Sequence, residues 1–179
     1  MAKEISDFMN ITPDKQRMDS LMVAANIRNL SLLELFYTCV SNLCKIMNER
    51  GTKIPDEQHH YIEKDDYNKC IYHKRDMDAT ERTIVVMKDA DILIKICDST
   101  GDFDDTSEYQ LLIRLLKEHT IIDDDGSRRL RQKEEVENPS EVLLNPSDPE
   151  ATFRYKAGGK HLGYVGNIVE SVGENGSLI

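Results

Sequence analysis

"KQRMDSLMVAANIR", residues Lys15 to Arg28, sets one acid among apolar neighbours. Met18 precedes Asp19, and Leu21, Met22, Val23, Ala24 and Ala25 follow almost at once. After Ser20 the apolar side chains fill both alternating sets. That pattern predicts a central strand covered on both faces. A carboxylate placed there costs several kcal/mol unless something positive meets it. Two partners fit. Arg17 lies two residues away on the same strand face and can pair with Asp19. Alternatively Asp19 is a metal ligand at the middle or end of the strand, aimed into a cleft.

The totals bound the rest. The chain has 179 residues, enough for one domain or for one domain with a large insertion. Hydrophobic residues make up 39% and there are nine glycines. Together they fall just under the roughly 45–50% typical of globular chains, so the core is modest. A formal net charge of −10 opposes non-specific binding to nucleic acid, and any contact with DNA requires a local patch. No apolar run approaches the ~20 residues of a membrane helix, and the polar start "MAKEISDFMN" lacks a signal-peptide core. A cytoplasmic protein without membrane contact is expected. Cys39 and Cys44 are five apart, roughly 140° around a helix, so they do not share a face. Together with Cys70 and Cys97 they are expected to be buried free thiols rather than zinc ligands or disulfides.

Downstream of Arg28 the helical signals are clear. Ser31 and Glu34 form an S-x-x-E capping box ahead of Leu32, Leu35, Phe36, Cys39, Leu43, Ile46 and Met47 at helical spacing, and Gly51 terminates the run. Residues 52 to 77 are polar, with His59 and His60 expected at the surface. "DATE", Asp78 to Glu81, and "DTSE", Asp105 to Glu108, predict caps for two more helices, Asp105 serving the second. From Ile122 to Asn145 the charged run containing Arg128, Arg129, Arg131 and Lys133 beside Glu134, Glu135 and Glu137 predicts a solvated linker rather than a DNA patch. After Pro149, "TFRYK" and "HLGYVGNIVESV" predict two strands about a turn at Gly158-Gly159. "GENG" marks a second turn, and "SLI" begins a third strand.

Several metal and phosphate patterns fail. An EF-hand loop from Asp98 has Phe103 where Gly is needed, and "DDDG" has Ile121 where the first ligand belongs. "AGGKHLGYVG" lacks the G-x-x-x-x-G-K-[ST] order of a P-loop.

The two ends, taken together, resemble one family. "RMDSLMVAANIRNLSLLELFYTCVSNL" resembles the segment around the first catalytic aspartate of bacterial insertion-sequence transposases of the DDE class. "NPSDPEATFRYKAGGKHLGYVGNIVESVGENGSLI" is similar to a later block of that family, with its Ser-x-Asp-Pro-(Asp/Glu)-Ala motif, Lys/Gly-rich turn and Gly-Tyr strand. "YNKCIYHKRD" and "EYQLLIRLLKEHT" resemble the helical insertion of one subgroup. The likeness spans residues 14 to 179. It implies a ribonuclease H-like fold whose central first strand carries an acidic metal ligand, matched here by Asp19. In the complete enzyme three carboxylates hold two Mg²⁺ or Mn²⁺ ions, one activating water or a DNA 3′-hydroxyl, the other stabilising the leaving oxygen.

The resemblance also implies what is missing. The family's second Asp and its Glu fall beyond Ile179, so a truncated transposase, inactive alone, is expected. Its fold class would be α/β, a partial ribonuclease H-like mixed sheet interrupted by a large all-helical insertion. Residues 14–27 would form the first strand, 28–121 the helical insertion, 122–145 a charged linker, and 146–179 a hairpin with the start of a third strand. Arg154, Lys156, Lys160 and His161 form a compact basic cluster about the Gly158-Gly159 turn. It is either a phosphate contact beside the active site or an ordinary solvated hairpin tip. Asp148 in "SDPE" is either a further metal ligand or, since Asp-Pro is a turn former, the residue that shapes the turn before the strand. The incomplete sheet leaves an open edge after Val172 that invites a homo-oligomer. The alternative is a non-catalytic helical module that binds full-length transposase or another protein, and the charge of −10 favours it.

Overall fold

The computed structural model describes Glu4, residues 7–8, 16–73, 78–156, 158–173 and 176–178; the side chains of His73, Arg154, Lys156, Lys160 and residues beyond Val172 fall outside that set. The chain divides into two compact units. One joins Met1–Asn26 to Phe153–Ile179, and the other is Ile27–Thr152.

The first unit is a sheet. β1 (Gln16–Ala24) pairs antiparallel with β5 (Gly159–Gly173), in an unbroken register from Gln16↔Ser171 to Ala24↔Gly163. β4 (Thr152–Lys156) precedes the turn at Gly158, whose φ of 78° is the left-handed conformation glycine tolerates. β6 (Gly176–Leu178) also pairs antiparallel with β5. Ser171 faces both Gln16 and Leu178, so β1 and β6 flank β5 on opposite edges. The expected hairpin and third strand are present. The turn at residues 174–175 lies outside the described residues.

β1 departs from expectation. It ends the strand order β1-β5-β4, and only Ser20 and Met22 among its nine residues are half-buried. Met18 is 68% exposed, Leu21 48% and Val23 52%. The apolar residues on both sets therefore report two uncovered faces, not a strand between two layers. Arg17 does not pair with Asp19 either. Its guanidinium lies 3.7 Å from Glu170, its cross-strand neighbour.

The second unit holds the core. α1 (Leu32–Glu49) buries Leu35, Phe36, Cys39, Leu43 and Met47 against α2 (Ala79–Thr100) and α3 (Ser107–His119). The capping box forms as predicted. The Glu34 carboxylate accepts the Ser31 amide at 2.8 Å and Ser31 Oγ accepts the Glu34 amide at 3.3 Å. Asp78 caps α2 through the Thr80 amide (3.3 Å). α3 differs, since its N-cap is Thr106 rather than Asp105. The Thr106 hydroxyl turns back to donate to the Phe103 carbonyl (2.7 Å), and Asp105 approaches Arg50 at 3.8 Å.

The predicted linker is also corrected. β2 (Thr120–Ile122) and β3 (Arg128–Leu130) form a hairpin, and Leu143 and Leu144 are buried. The arginines are held by acids, one distant in sequence and one within the same run. Arg128 reaches Asp91 at 2.8 Å, and Arg129 makes a forked pair with Glu135 at 2.8 and 2.9 Å. That fork draws the Glu135 carboxyl down to about 2. Residues 122–145 thus belong to the helical unit.

One glycine tests the sheet. Gly163 has φ 151°, and a Cβ there would sit 2.0 Å from the Val23 carbonyl oxygen and 2.7 Å from the Ala25 nitrogen. Gly163→Ala should destabilise the β1–β5 ladder by on the order of 2–4 kcal/mol. Gly166→Ala meets nothing within 4 Å and should be near neutral. Hydrogen exchange of the β1 amides in both variants checks the contrast.

Candidate functional site

Asp19 lies at the middle of β1, opposite Ile168, with its side chain exposed. Oδ1 accepts the Ser20 amide at 2.9 Å, and Ser20 Oγ donates to Asn167 Oδ1 at 2.8 Å. Cross-strand partners share a face, so Asp19 stands with Arg17, Leu21, Val23, Tyr164, Gly166, Ile168 and Glu170. An exposed carboxylate on such a face is an accessible ligand rather than a buried charge. Among the described residues no group of three or more His, Cys, Asp or Glu side chains converges to hold a metal ion. Asp19 belongs to no such group among the described residues.

The basic cluster is placed only in part. Arg154 and Lys156 are in β4, and Lys160 and His161 open β5, so the four positions flank the Gly158 turn. The side chains of the first three lie outside the described residues, and His161 is exposed.

Sequence reasoning missed a network of tyrosines and carboxylates in the helical unit. Glu34 Oε1 accepts from Arg28 and from the hydroxyls of Tyr67 (3.0 Å) and Tyr72 (3.4 Å). The Tyr37 hydroxyl donates to Asp66 Oδ2 at 2.6 Å, with His60 Nδ1 2.7 Å from the same oxygen. Tyr61 and Gln58 donate to the two oxygens of Asp89, each at 2.7 Å. The rings touch in sequence: Tyr37 lies 5.2 Å from Tyr61 and 5.4 Å from Tyr67, centroid to centroid. The usable signal was Tyr61, Tyr67 and Tyr72 inside a stretch that otherwise reads as polar loop.

The protonation states of Glu34 and Tyr67 favour a structural role. Burial alone would raise the Glu34 carboxyl. Bonds from Ser31, Tyr67 and Arg28 outweigh it and hold the group at about 2. Burial and the Glu34 bond push Tyr67 up to about 12. Near neutral pH the carboxylate stays ionised and the phenol protonated. Cys39, Cys44, Cys70 and Cys97 are buried and not joined in disulfides, and burial raises the thiols of Cys39 and Cys44 to about 12.

Among the described residues no helix is long and apolar enough to cross a membrane. No protein-family model, no curated protein and no solved structure matches this chain.

The depressed Glu34 carboxyl contributes stability that is present above its ordinary value of 4.5 and lost as pH falls toward 2. Glu34→Gln should cost about 2 kcal/mol at pH 7. Urea titrations from pH 7 to pH 2 should show that difference vanish in acid.

Proposed function

We propose that this chain is the leading part of the catalytic domain of a DDE-class transposase, interrupted by its helical insertion. The complete enzyme would carry out metal-dependent cleavage and transfer of DNA strands. The observation that carries the proposal is the β1–β5 ladder. The Asp-Ser block at Asp19 and the Gly-Tyr block at Gly163-Tyr164 each resemble that family, in that order. They lie side by side in one sheet, while residues 27–152 fold as their own unit.

Asp19 is the proposed first ligand for Mg²⁺ or Mn²⁺, and its exposure in mid-strand leaves it open to a cation. A central first strand needs neighbours on both edges. Among the described residues β1 has one, and its outer edge is where further strands of a ribonuclease H-like sheet would add. The basic positions Arg154, Lys156, Lys160 and His161 are the proposed phosphate contacts. One carboxylate does not assemble two ions, so these residues alone should not cut DNA. With Mn²⁺, the purified chain should nick supercoiled plasmid no faster than Asp19→Ala. Robust nicking abolished by that substitution would contradict the account. Sequencing the source DNA on both sides of the frame tests the family assignment. It should continue into an Asp-bearing strand and a later Glu-bearing helix.

The net charge of −10 favours a second reading, a non-catalytic helical module that binds another protein. Gel shifts at low salt, with and without Mg²⁺, separate the two. The module predicts no DNA affinity in either condition, and the transposase reading predicts retarded transposon-end DNA.

A further inference from the structure

We infer that His119 is an acid-sensitive latch in the helical unit, whose protonation releases residues 128–135 from the C-terminal end of α3. The first observation is an unmet polar atom. His119 is the last residue of α3, and its Nε2 is buried with no hydrogen-bond partner among the described residues. A neutral ring can carry its proton on Nδ1, so only an acceptor is left unpaired there. An imidazolium carries protons on both nitrogens, and the one on Nε2 finds no acceptor.

The second observation is what surrounds the ring. Arg131, just past β3, clasps the end of α3. Its amide donates to the His119 carbonyl at 2.8 Å, its Nε to the Thr120 carbonyl at 3.1 Å and its Nη2 to the Lys117 carbonyl at 3.4 Å. Its Nη1 donates to the Glu135 carbonyl at 3.0 Å, which ties residues 133–135 to the same clasp. The carbonyls left over at a helix C-terminus ordinarily favour a cation, but here Arg131 already takes them. The charged groups that act on the ring are Glu118 on its own helix and Arg131 from the hairpin side. The Glu118 carboxylate is committed, one oxygen to Arg114 Nε at 2.6 Å and the other to the Leu143 amide at 2.7 Å. Lys117 is exposed, Glu135 is held by Arg129 and the Gln132 amide, and Arg128 by Asp91. A proton on His119 therefore gains no partner and sits beside a second cation. Detaching residues 128–135 separates the two charges and opens the ring to water.

Burial, reinforced by Arg131 and opposed by Glu118, holds the imidazole below its ordinary value of 6.5. The latched form thus binds a proton less readily than the released form, so the latch is tight above that value and weakens as pH falls below it. The inference uses neither DNA nor metal, so it stands apart from the transposase reading. Amide hydrogen exchange on the full chain from pH 7.5 to pH 4.5, corrected for the intrinsic pH dependence of exchange, tests it. Protection of residues 128–131 should fall by up to about tenfold per pH unit below the ordinary histidine value, while Leu43 and Met47 in α1 keep theirs. His119→Gln should abolish the fall, and His59→Gln, at an exposed position, should leave it in place. Where His119→Gln fails to fold, the unsubstituted chain decides. Its His119 ring resonances should titrate below the ordinary value, and the fall in protection should level off where they do. Protection indifferent to pH, an equal fall in α1, a fall that survives His119→Gln, or a ring that titrates at or above the ordinary value would overturn the proposal.

Discussion

The antiparallel ladder between β1 and β5 is the constraint on which the sheet depends. Its strands come from opposite ends of the chain, and its tightest point is the approach of Gly163 to Val23 and Ala25. Closing a loop this long costs conformational entropy that grows only slowly with length. The helical unit lowers that cost by holding its own ends together. Asn145 Nδ2 donates to the Arg28 carbonyl at 3.0 Å, across 117 residues. Asn145 Oδ1 meanwhile accepts the Ser147 amide at 2.9 Å and shapes the "NPSDPE" turn. Positions 28 and 145, near the two ends of the helical unit, are thus held together.

The helical unit supports itself by other means. Its aliphatic core along α1, α2 and α3 is joined by carboxylates whose acceptors are filled by tyrosine hydroxyls. Buried Glu34 and half-buried Asp66 and Asp89 each have a donor, which offsets their desolvation. Near neutral pH the Glu34 carboxylate stays ionised and the Tyr67 phenol protonated, so that pair serves as a fixed charge and donor.

Local signals in the sequence were read well. The Ser31–Glu34 box, the Asp78 cap, the α1 stripe and the turn at Gly158 are each decided by residues within four positions of one another. What failed depended on distant partners. The arginines of 128–131 read as linker because Asp91, which anchors Arg128, is 37 residues away. Thr106 displaced Asp105 as the α3 cap because Asp105 lies toward Arg50, across the unit's fold. β1 read as doubly covered because apolar side chains on both sets cannot distinguish two packed faces from two exposed ones. The position of Asp19 was legible, and its surroundings were not.

The most direct measurement is a disulfide scan across the ladder. Ser20 and Asn167 face each other in a non-hydrogen-bonded pair, where side chains approach most closely. The four native thiols are buried. Ser20→Cys with Asn167→Cys should oxidise readily to an intramolecular bridge that non-reducing mass spectrometry places between those positions. Ser20→Cys with Ile168→Cys, one residue out of register and on the opposite face, should not. Bridging of the second pair in preference to the first, or of neither, would contradict a sheet built from the two ends of this chain.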